Sequence, residues 1–209
     1  MVRKFLLFLI VIKISSGIYA QSNIEGEYYL HGVMEVASGF LIKPDSTFQF
    51  FFSYGALDRE GLGKWTVKGT QLILNSRPKP LHDFAVIKSE IVDNDFTTIK
   101  FIDSNKNFLR YVYVSLKFSD TTIEEKTDED GELKINRKGA ENISLVFEFS
   151  PEKISNFKID KEHNYYEFRM ELFITEVFFE NFHLQVETNK LIGRHPLLDE
   201  KKYTYEKEK

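Results

Sequence analysis

Hydrophobic and polar side chains alternate along most of this chain with a period of two. In the segment 111–118, YVYVSLKF, Val112, Val114 and Leu116 fall on one face, whereas the tyrosines fall on the other. This alternation is typical of a half-buried β-strand. The same period predicts strands at 47–54, 143–149 and 166–174, with inward residues Phe48, Phe50, Phe52, Tyr54, Ile143, Leu145, Phe147, Phe149, Tyr166, Phe168, Met170, Leu172 and Ile174.

Shorter alternating or apolar segments add further strands between these four. They lie at 27–30, 35–42, 63–67, 71–75, 84–91, 97–102, 123–127, 132–136 and 182–187. No stretch longer than about ten residues keeps the 3.6-residue period of an amphipathic helix. The pattern therefore predicts a nearly all-β protein.

Turn-forming residues divide the strands into groups. Pro78 and Pro80 cannot both lie in a central strand and mark a first boundary, and a polar run at 93–95 marks a second. We predict a small antiparallel β-barrel or meander with a bridging hairpin at 21–95, a β-sandwich at 96–180, and a C-terminal strand with a charged tail at 181–209. The tail from 199 onward is expected to be frayed or weakly paired.

The first twenty residues have the order of a secretory signal peptide. Arg3 and Lys4 precede an apolar run at 5–12, and small residues lead to Ala20. The run is too short to cross a bilayer, which needs about 20 apolar residues. We expect cleavage after Ala20, a periplasmic or secreted protein, and no membrane span after cleavage.

Composition and charge exclude several functional classes. The chain has no cysteine, which excludes disulfides, thiolate metal sites and cysteine nucleophiles. The formal net charge is −4, and because the leader carries three basic residues and no acid, the mature part carries −7. Nucleic-acid binding requires clustered lysine and arginine, so it is not expected.

Two acidic segments invite comparison with cation sites. The segment 103–107 begins like a calcium-binding loop, but Phe108 and Val114 occupy the positions where such a loop needs glycine and a bidentate glutamate. Asp128, Asp130 and Glu132 lie close together in a D-x-D-G turn. Both segments are interpreted as polar turns between strands, and no metal site or cofactor is predicted.

The sequence shows no catalytic pattern. The histidines lack zinc-ligand spacing and are expected to be surface or rim residues: His31, His82, His163, His183 and His195. The sequence lacks the G-x-S-x-G elbow and the phosphate-binding glycine loop. We therefore predict a protein that is not an enzyme, although a hydrolase assembled from residues distant in sequence stays open as a third hypothesis.

The C-terminal half resembles the carboxypeptidase regulatory-like, or transthyretin-like, β-sandwich. The resemblance rests on the strand at 97–102, the polar turn 103–107, the alternating strand at 110–118 and the T-D-x-D-G element at 127–131. It departs from the family at 108–110, where a Pro-Leu-x-Gly-Ala type run is common. The resemblance covers about 80 residues and implies a non-catalytic module.

The N-terminal half is similar to lipocalin-like or META-like β modules. The similarity is carried by Gly26-Glu27-Tyr28-Tyr29, by 41–50, by Gly63-Lys64-Trp65-Thr66-Val67 and by Leu72-Ile73-Leu74. Small exported proteins of Bacteroidetes-type bacteria often pair such modules. The similarity implies a module that folds, binds or connects.

Five aromatic residues fall outside the predicted core faces: Phe51, Tyr111, Tyr113, Tyr165 and Phe173. They form either an exposed interaction patch or the interface between the two modules, and the interface is favoured because monomers rarely expose large apolar patches. The function expected is non-enzymatic interaction with a protein or glycan partner, or a structural role. The alternative is a carrier of a small apolar ligand in a lipocalin-like cavity, which needs about eight strands.

Overall fold

The computed structural model describes residues 24–55, 57–103 and 105–209. The predicted signal peptide lies outside these residues. In chain order the strands are β1 Gly26–Leu30, β2 Val36–Ile42, β3 Thr47–Tyr54, β4 Leu57–Lys68, β5 Gln71–Asn75, β6 Phe84–Glu90, β7 Thr97–Ile102, β8 Val112–Lys117, β9 Thr122–Lys126, β10 Glu132–Ile135, β11 Asn142–Phe147, β12 Ser155–Lys158, β13 Tyr165–Met170, β14 Phe182–Glu187, β15 Lys190–Gly193 and β16 Tyr203–Lys207. A short 3-10 helix, Lys106–Tyr111, precedes β8. The all-β prediction is confirmed.

Eight strands close into an antiparallel barrel. Their order around the barrel is β1-β16-β15-β14-β5-β4-β3-β2. The ring closes where β1 pairs with the last strand, with Tyr28 opposite Lys207 and Leu30 opposite Tyr205. A barrel of this kind leaves no unpaired edge, so its backbone groups are satisfied around the whole circumference.

The remaining strands form two four-stranded sheets that share one core. One sheet has the order β10-β7-β13-β6 and the other β12-β11-β8-β9. Their inward faces meet in a single hydrophobic cluster, which includes Ile99, Phe101, Tyr166, Phe168, Val112, Val114, Leu116, Ile143, Leu145 and Phe147. This arrangement is a β-sandwich, because each sheet buries one face against the other.

The sandwich lies inside the barrel's sequence instead of following it. Barrel strand β5 ends at Asn75 and the next barrel strand, β14, begins at Phe182, so all sandwich strands fall between them. Strand β6, expected in the N-terminal module, pairs with β13 of the sandwich. The segment 181–209, expected as a C-terminal appendage, supplies three barrel strands.

Aromatic side chains fill the barrel interior. Phe179, which lies just before β14, packs its ring 5.1 Å from Phe48, 5.3 Å from Phe50 and 6.0 Å from Phe40, measured between ring centroids. The ring of Tyr205 lies 4.9 Å from that of Phe40. The packing of these rings does not favour the alternative of a ligand carried inside the barrel, since large side chains occupy that space.

The predicted alternation is confirmed in strand centres and fails at strand ends. Phe48, Phe50 and Phe52 are buried, but Tyr54, at the end of β3, is exposed. Leu172 was expected to face the core and is fully exposed, because β13 ends at Met170 and Leu172 lies in the following turn. The tail expected to fray contains β16, in which Tyr205 is completely buried.

Within the described part of the chain, no helix has the length and apolar character needed to cross a membrane.

Candidate functional site

The five off-face aromatic residues do not form one patch. Phe51 lies on the outer face of the barrel, Tyr113 on the outer face of the sandwich sheet that contains β8, and Tyr165 on the opposite sheet. Phe173 lies in the segment that leads from the sandwich back to the barrel, where the guanidinium carbon of Arg77 is 5.3 Å from its ring centroid. Period-two parity identifies the face of a strand but not the sheet to which the strand belongs.

Only Tyr111 and Tyr113 are brought together, and Lys126 joins them. Its ammonium group lies 5.0 Å from the Tyr111 ring centroid and 5.1 Å from that of Tyr113, which is within the range of cation–π attraction. The same ammonium pairs with Glu148. This hydrogen bond raises the pKa of Lys126, so the lysine stays charged beside the two rings. Tyr111 is partly buried against Phe149, whereas Tyr113 is 47 % exposed.

Tyr113 stands in a groove of about 840 Å³ on the outer face of its sheet, here called the sandwich groove. The strand register arranges its walls in two rows. One row is mainly apolar and places Tyr113 between Lys126 and Val146, with Ile154 at the far end. The second row is polar and runs parallel to the first: Glu124, Ser115, Ser144 and Asn156.

The polar row presents hydrogen-bonding groups from four adjacent strands. Ser144 Oγ donates to Asn156 Oδ1 at 2.7 Å, and Ser115 Oγ lies 3.5 Å from Glu124 Oε1. The Asn156 amide nitrogen keeps its two donors, and the serine oxygens keep lone pairs. The groove therefore offers donors and acceptors beside one exposed aromatic ring.

A buried arginine connects the barrel to the sandwich. The Arg59 side chain, on β4, is 2 % exposed, and its Nη2 donates to Glu152 Oε1 at 2.6 Å. Its Nε donates to the Thr175 carbonyl at 2.7 Å and its Nη1 to the Phe149 carbonyl at 3.2 Å. Burial by itself raises the pKa of Glu152, but the hydrogen bond and charge of Arg59 outweigh it and hold that pKa below its usual value. The arrangement is a structural joint, because every branch of the guanidinium is already bonded.

A second buried charge pair lies near this joint. Lys153 Nζ is 3.5 Å from Asp83 Oδ1 and lies 3.2 Å from the Ile174 carbonyl oxygen, to which it donates. Burial raises the pKa of Asp83 and lowers the pKa of Lys153. Both side chains are buried, and neither lines the sandwich groove.

The acidic segment at 128–132 forms a turn, and Asn105 of the other acidic segment caps the 3-10 helix. Asp128 Oδ1 accepts the backbone N–H groups of Asp130 at 3.0 Å and Glu132 at 2.8 Å. Asp103 Oδ1 accepts the N–H of Asn105 at 2.7 Å. In the described ranges, no group of three histidine, aspartate or glutamate side chains is placed to hold a metal ion.

One histidine is buried, against the expectation for all five. His195 is 4 % exposed inside the barrel, where its Nδ1 accepts the N–H of Leu197 at 3.0 Å. Its Nε2 therefore carries the proton and donates to Ser38 Oγ at 3.0 Å, while Ser38 donates to the Phe51 carbonyl at 2.8 Å. The sequence gives no sign of this, because His195 follows β15 in a segment without period-two alternation.

Burial lowers the pKa of His195 to about 4, from an ordinary value of 6.5. The histidine of the unfolded chain therefore binds its proton at a higher pH than that of the folded chain. The free energy of unfolding falls as the pH drops from about 6.5 to about 4. We expect a loss of about 3 kcal/mol in the free energy of unfolding from this group. Urea unfolding followed across that pH range measures the slope.

His195→Gln should flatten that slope, whatever its effect on stability near neutral pH. His183→Gln, which changes an exposed imidazole, is the matched control and should keep the wild-type slope. Equal slopes for His195→Gln and the wild type would contradict the assignment.

No family model, curated protein or solved structure matches this chain.

Proposed function

We propose that this chain is an exported, non-enzymatic β-module protein that binds glycans in the sandwich groove. The observation that carries the proposal is the position of the exposed Tyr113 ring beside a row of hydroxyl, amide and carboxylate groups. A sugar ring has one face of C–H groups, which stacks on an aromatic side chain, and a rim of hydroxyls, which needs donors and acceptors.

The composition of the groove favours a glycan over a protein partner. The core of a protein interface is rich in large apolar and aromatic residues and contains few charges. Among the described residues that line the sandwich groove, Tyr113, Val146 and Ile154 supply the apolar surface, and Glu124 and Asn156 belong to the polar row beside them. A row of exposed serine, asparagine and glutamate side chains can hydrogen-bond to the hydroxyl groups of a glycan. It is less suited to the packed apolar surface of a protein partner.

The charge of the groove also favours a neutral or weakly basic ligand over an anionic one. Glu124 and Glu125 both line it, and its one lysine, Lys126, is paired with Glu148. Phosphate-bearing polymers need unpaired basic groups, so nucleic acids fit this surface poorly.

Affinity electrophoresis tests the proposal. The protein is run through native gels that each contain one soluble polysaccharide: β-glucan, xylan, mannan, starch or pectin. We expect retardation in at least one gel, and Tyr113→Ala should weaken the affinity for that polysaccharide about tenfold or more, which corresponds to about 1.4 kcal/mol. Asn156→Ala should weaken it less, because it removes a single hydrogen-bonding group.

Tyr165→Ala is the matched control, since it removes a tyrosine from the opposite sandwich sheet. It should leave retardation unchanged, and thermal unfolding shows that each variant is folded. Unretarded migration of the wild type in all five gels, or equal retardation of the wild type and Tyr113→Ala, would overturn the proposal.

A further inference from the structure

A second groove, here called the barrel groove, lies on the outer face of β1 to β4 and has a volume of about 380 Å³. The strand register builds it from two transverse rows. In the first row Tyr29 on β1 is opposite Gly39 on β2, Gly39 is opposite Phe51 on β3, and Phe51 is opposite Glu60 on β4. The second row consists of Glu27, Leu41, Gln49 and Leu62.

Gly39 places no side chain between Tyr29 and Phe51 in the first row. A Cβ atom there would lie 2.9 Å from Cε1 of Phe51, so the Phe51 ring covers the glycine. The Tyr29 ring stands 5.9 Å from the Phe51 ring, with 63° between the ring planes. Although the Phe51 ring packs over Gly39, 37 % of Phe51 and 41 % of Tyr29 stay exposed to solvent. Two aromatic rings, inclined at 63° to each other, therefore remain partly open to a ligand.

The charge of the barrel groove has one sign. Glu27 and Glu60 supply carboxylates, and none of the described residues that line the groove is basic. Two basic residues in neighbouring positions are paired with other carboxylates: Arg77 Nη2 lies 2.6 Å from Glu176 Oε2, and Lys190 Nζ lies 3.0 Å from Glu206 Oε1. The groove is thus electrically complementary to a cation.

The Tyr29 hydroxyl strengthens this preference. It donates to Glu27 Oε2 at 2.6 Å. That hydrogen bond raises the pKa of Tyr29 to about 12, so the phenol stays protonated and its bond to the carboxylate persists at neutral pH. A phenol that donates to a carboxylate is richer in electron density, which makes its ring face more attractive to a cation.

The geometry points to the barrel groove as a binding site for a small organic cation of the quaternary ammonium class. Such a cation is weakly hydrated and carries methyl groups, so it gains from contact with the exposed surfaces of Tyr29 and Phe51 and from the nearby carboxylates. Calcium and magnesium prefer a shell of oxygen ligands, which the two aromatic rings do not provide. The groove is separate from the sandwich groove, so the inference stands independently of the proposed function.

Titration of the full-length protein with choline chloride, followed by NMR or calorimetry, tests this inference. Choline should bind saturably, and its neutral isostere 3,3-dimethylbutan-1-ol should bind about fivefold more weakly or worse. Raising the salt to about 1 M, where the Debye length is about 3 Å, should also weaken choline binding. Equal affinities for the cation and the isostere, or no saturable binding of choline, would overturn the inference.

Two variants locate the site. Phe51→Leu keeps apolar cover over Gly39 but removes the ring, and Glu60→Gln keeps size but removes the charge. Each should weaken choline binding several-fold, and Glu60→Gln provides the test if Phe51→Leu does not fold. Tyr113→Ala, in the sandwich groove, is the control and should bind choline normally; a loss in this control equal to that in Glu60→Gln would contradict the assignment.

A quaternary ammonium group reaches the groove either as a free molecule or as a lipid headgroup. Co-sedimentation with phosphatidylcholine vesicles, reversed by added choline, would identify the headgroup as the source. Choline binding without co-sedimentation would identify the free cation. Both results support the site, whereas co-sedimentation that choline and Glu60→Gln leave unchanged would count against it.

Discussion

Truncation of Phe179 to alanine is expected to lower the free energy of unfolding by about 3–5 kcal/mol. The ring is 3 % exposed and stands at the centre of the barrel, with ring centroids of Phe48 and Phe182 at 5.1 Å and 5.2 Å. Its removal costs the transfer free energy of the ring and leaves a cavity, because the closed wall of strands cannot collapse fully onto the gap.

Urea unfolding followed by far-UV circular dichroism measures this loss. Phe178→Ala is the matched control, since it removes the same side chain from the neighbouring, only partly buried position. It should cost less than half as much. A loss below about 1 kcal/mol for Phe179→Ala would show that this ring does not support the barrel interior.

Replacement of Arg59 by leucine should cost about 2–4 kcal/mol. The substitution removes the cation that lies 2.6 Å from Glu152 and leaves the Thr175 and Phe149 carbonyls without their donor. The Glu152 side chain is 45 % exposed, so water can take over part of the lost interaction. These partners lie in the sandwich and in the segment that leads from it back to the barrel. The lost stability should therefore come from the contact between the barrel and the sandwich. Glu152→Gln, which keeps a hydrogen-bond acceptor, should cost less.

Arg77→Leu is the control for this change. The side chain of Arg77 is about half exposed, so water already screens its ion pair with Glu176 from one side, and a cost of about 1 kcal/mol is expected. Chemical unfolding of both variants at one pH gives the comparison. Similar losses for Arg59→Leu and Arg77→Leu would contradict the special role assigned to the buried guanidinium.

Much of the secondary structure could be predicted because each strand carries a local signal. The alternation in 111–118 and 47–54 identifies both the strand and its buried face, since side chains in a strand point to opposite sides. The segment 203–207, YTYEK, has the same alternation, but its surrounding charges favoured a frayed tail. Burial of Tyr205 depends on β1, a partner from the other end of the chain, and no local pattern contains that information.

The candidate sites could be predicted only in part from the sequence, for the same reason. Off-face parity identified Phe51 and Tyr113 as residues outside the core, and both line grooves. The residues beside them, such as Asn156 next to Ser144, come from strand register, which is a tertiary property. Gly39 is a second local signal, which the sequence predictions did not include: a glycine within an otherwise apolar strand suggests close approach by a neighbouring group.

The insertion of the sandwich between β5 and β14 constrains the order in which the protein can fold. The sandwich strands are contiguous in sequence and can associate as soon as they have been synthesised, whereas the barrel waits for its last three strands. Until then β1 and β5 have open edges that can pair with other chains. Because pairing between distant segments slows folding, ring closure is the step at which chaperones or misassembly would compete for this chain.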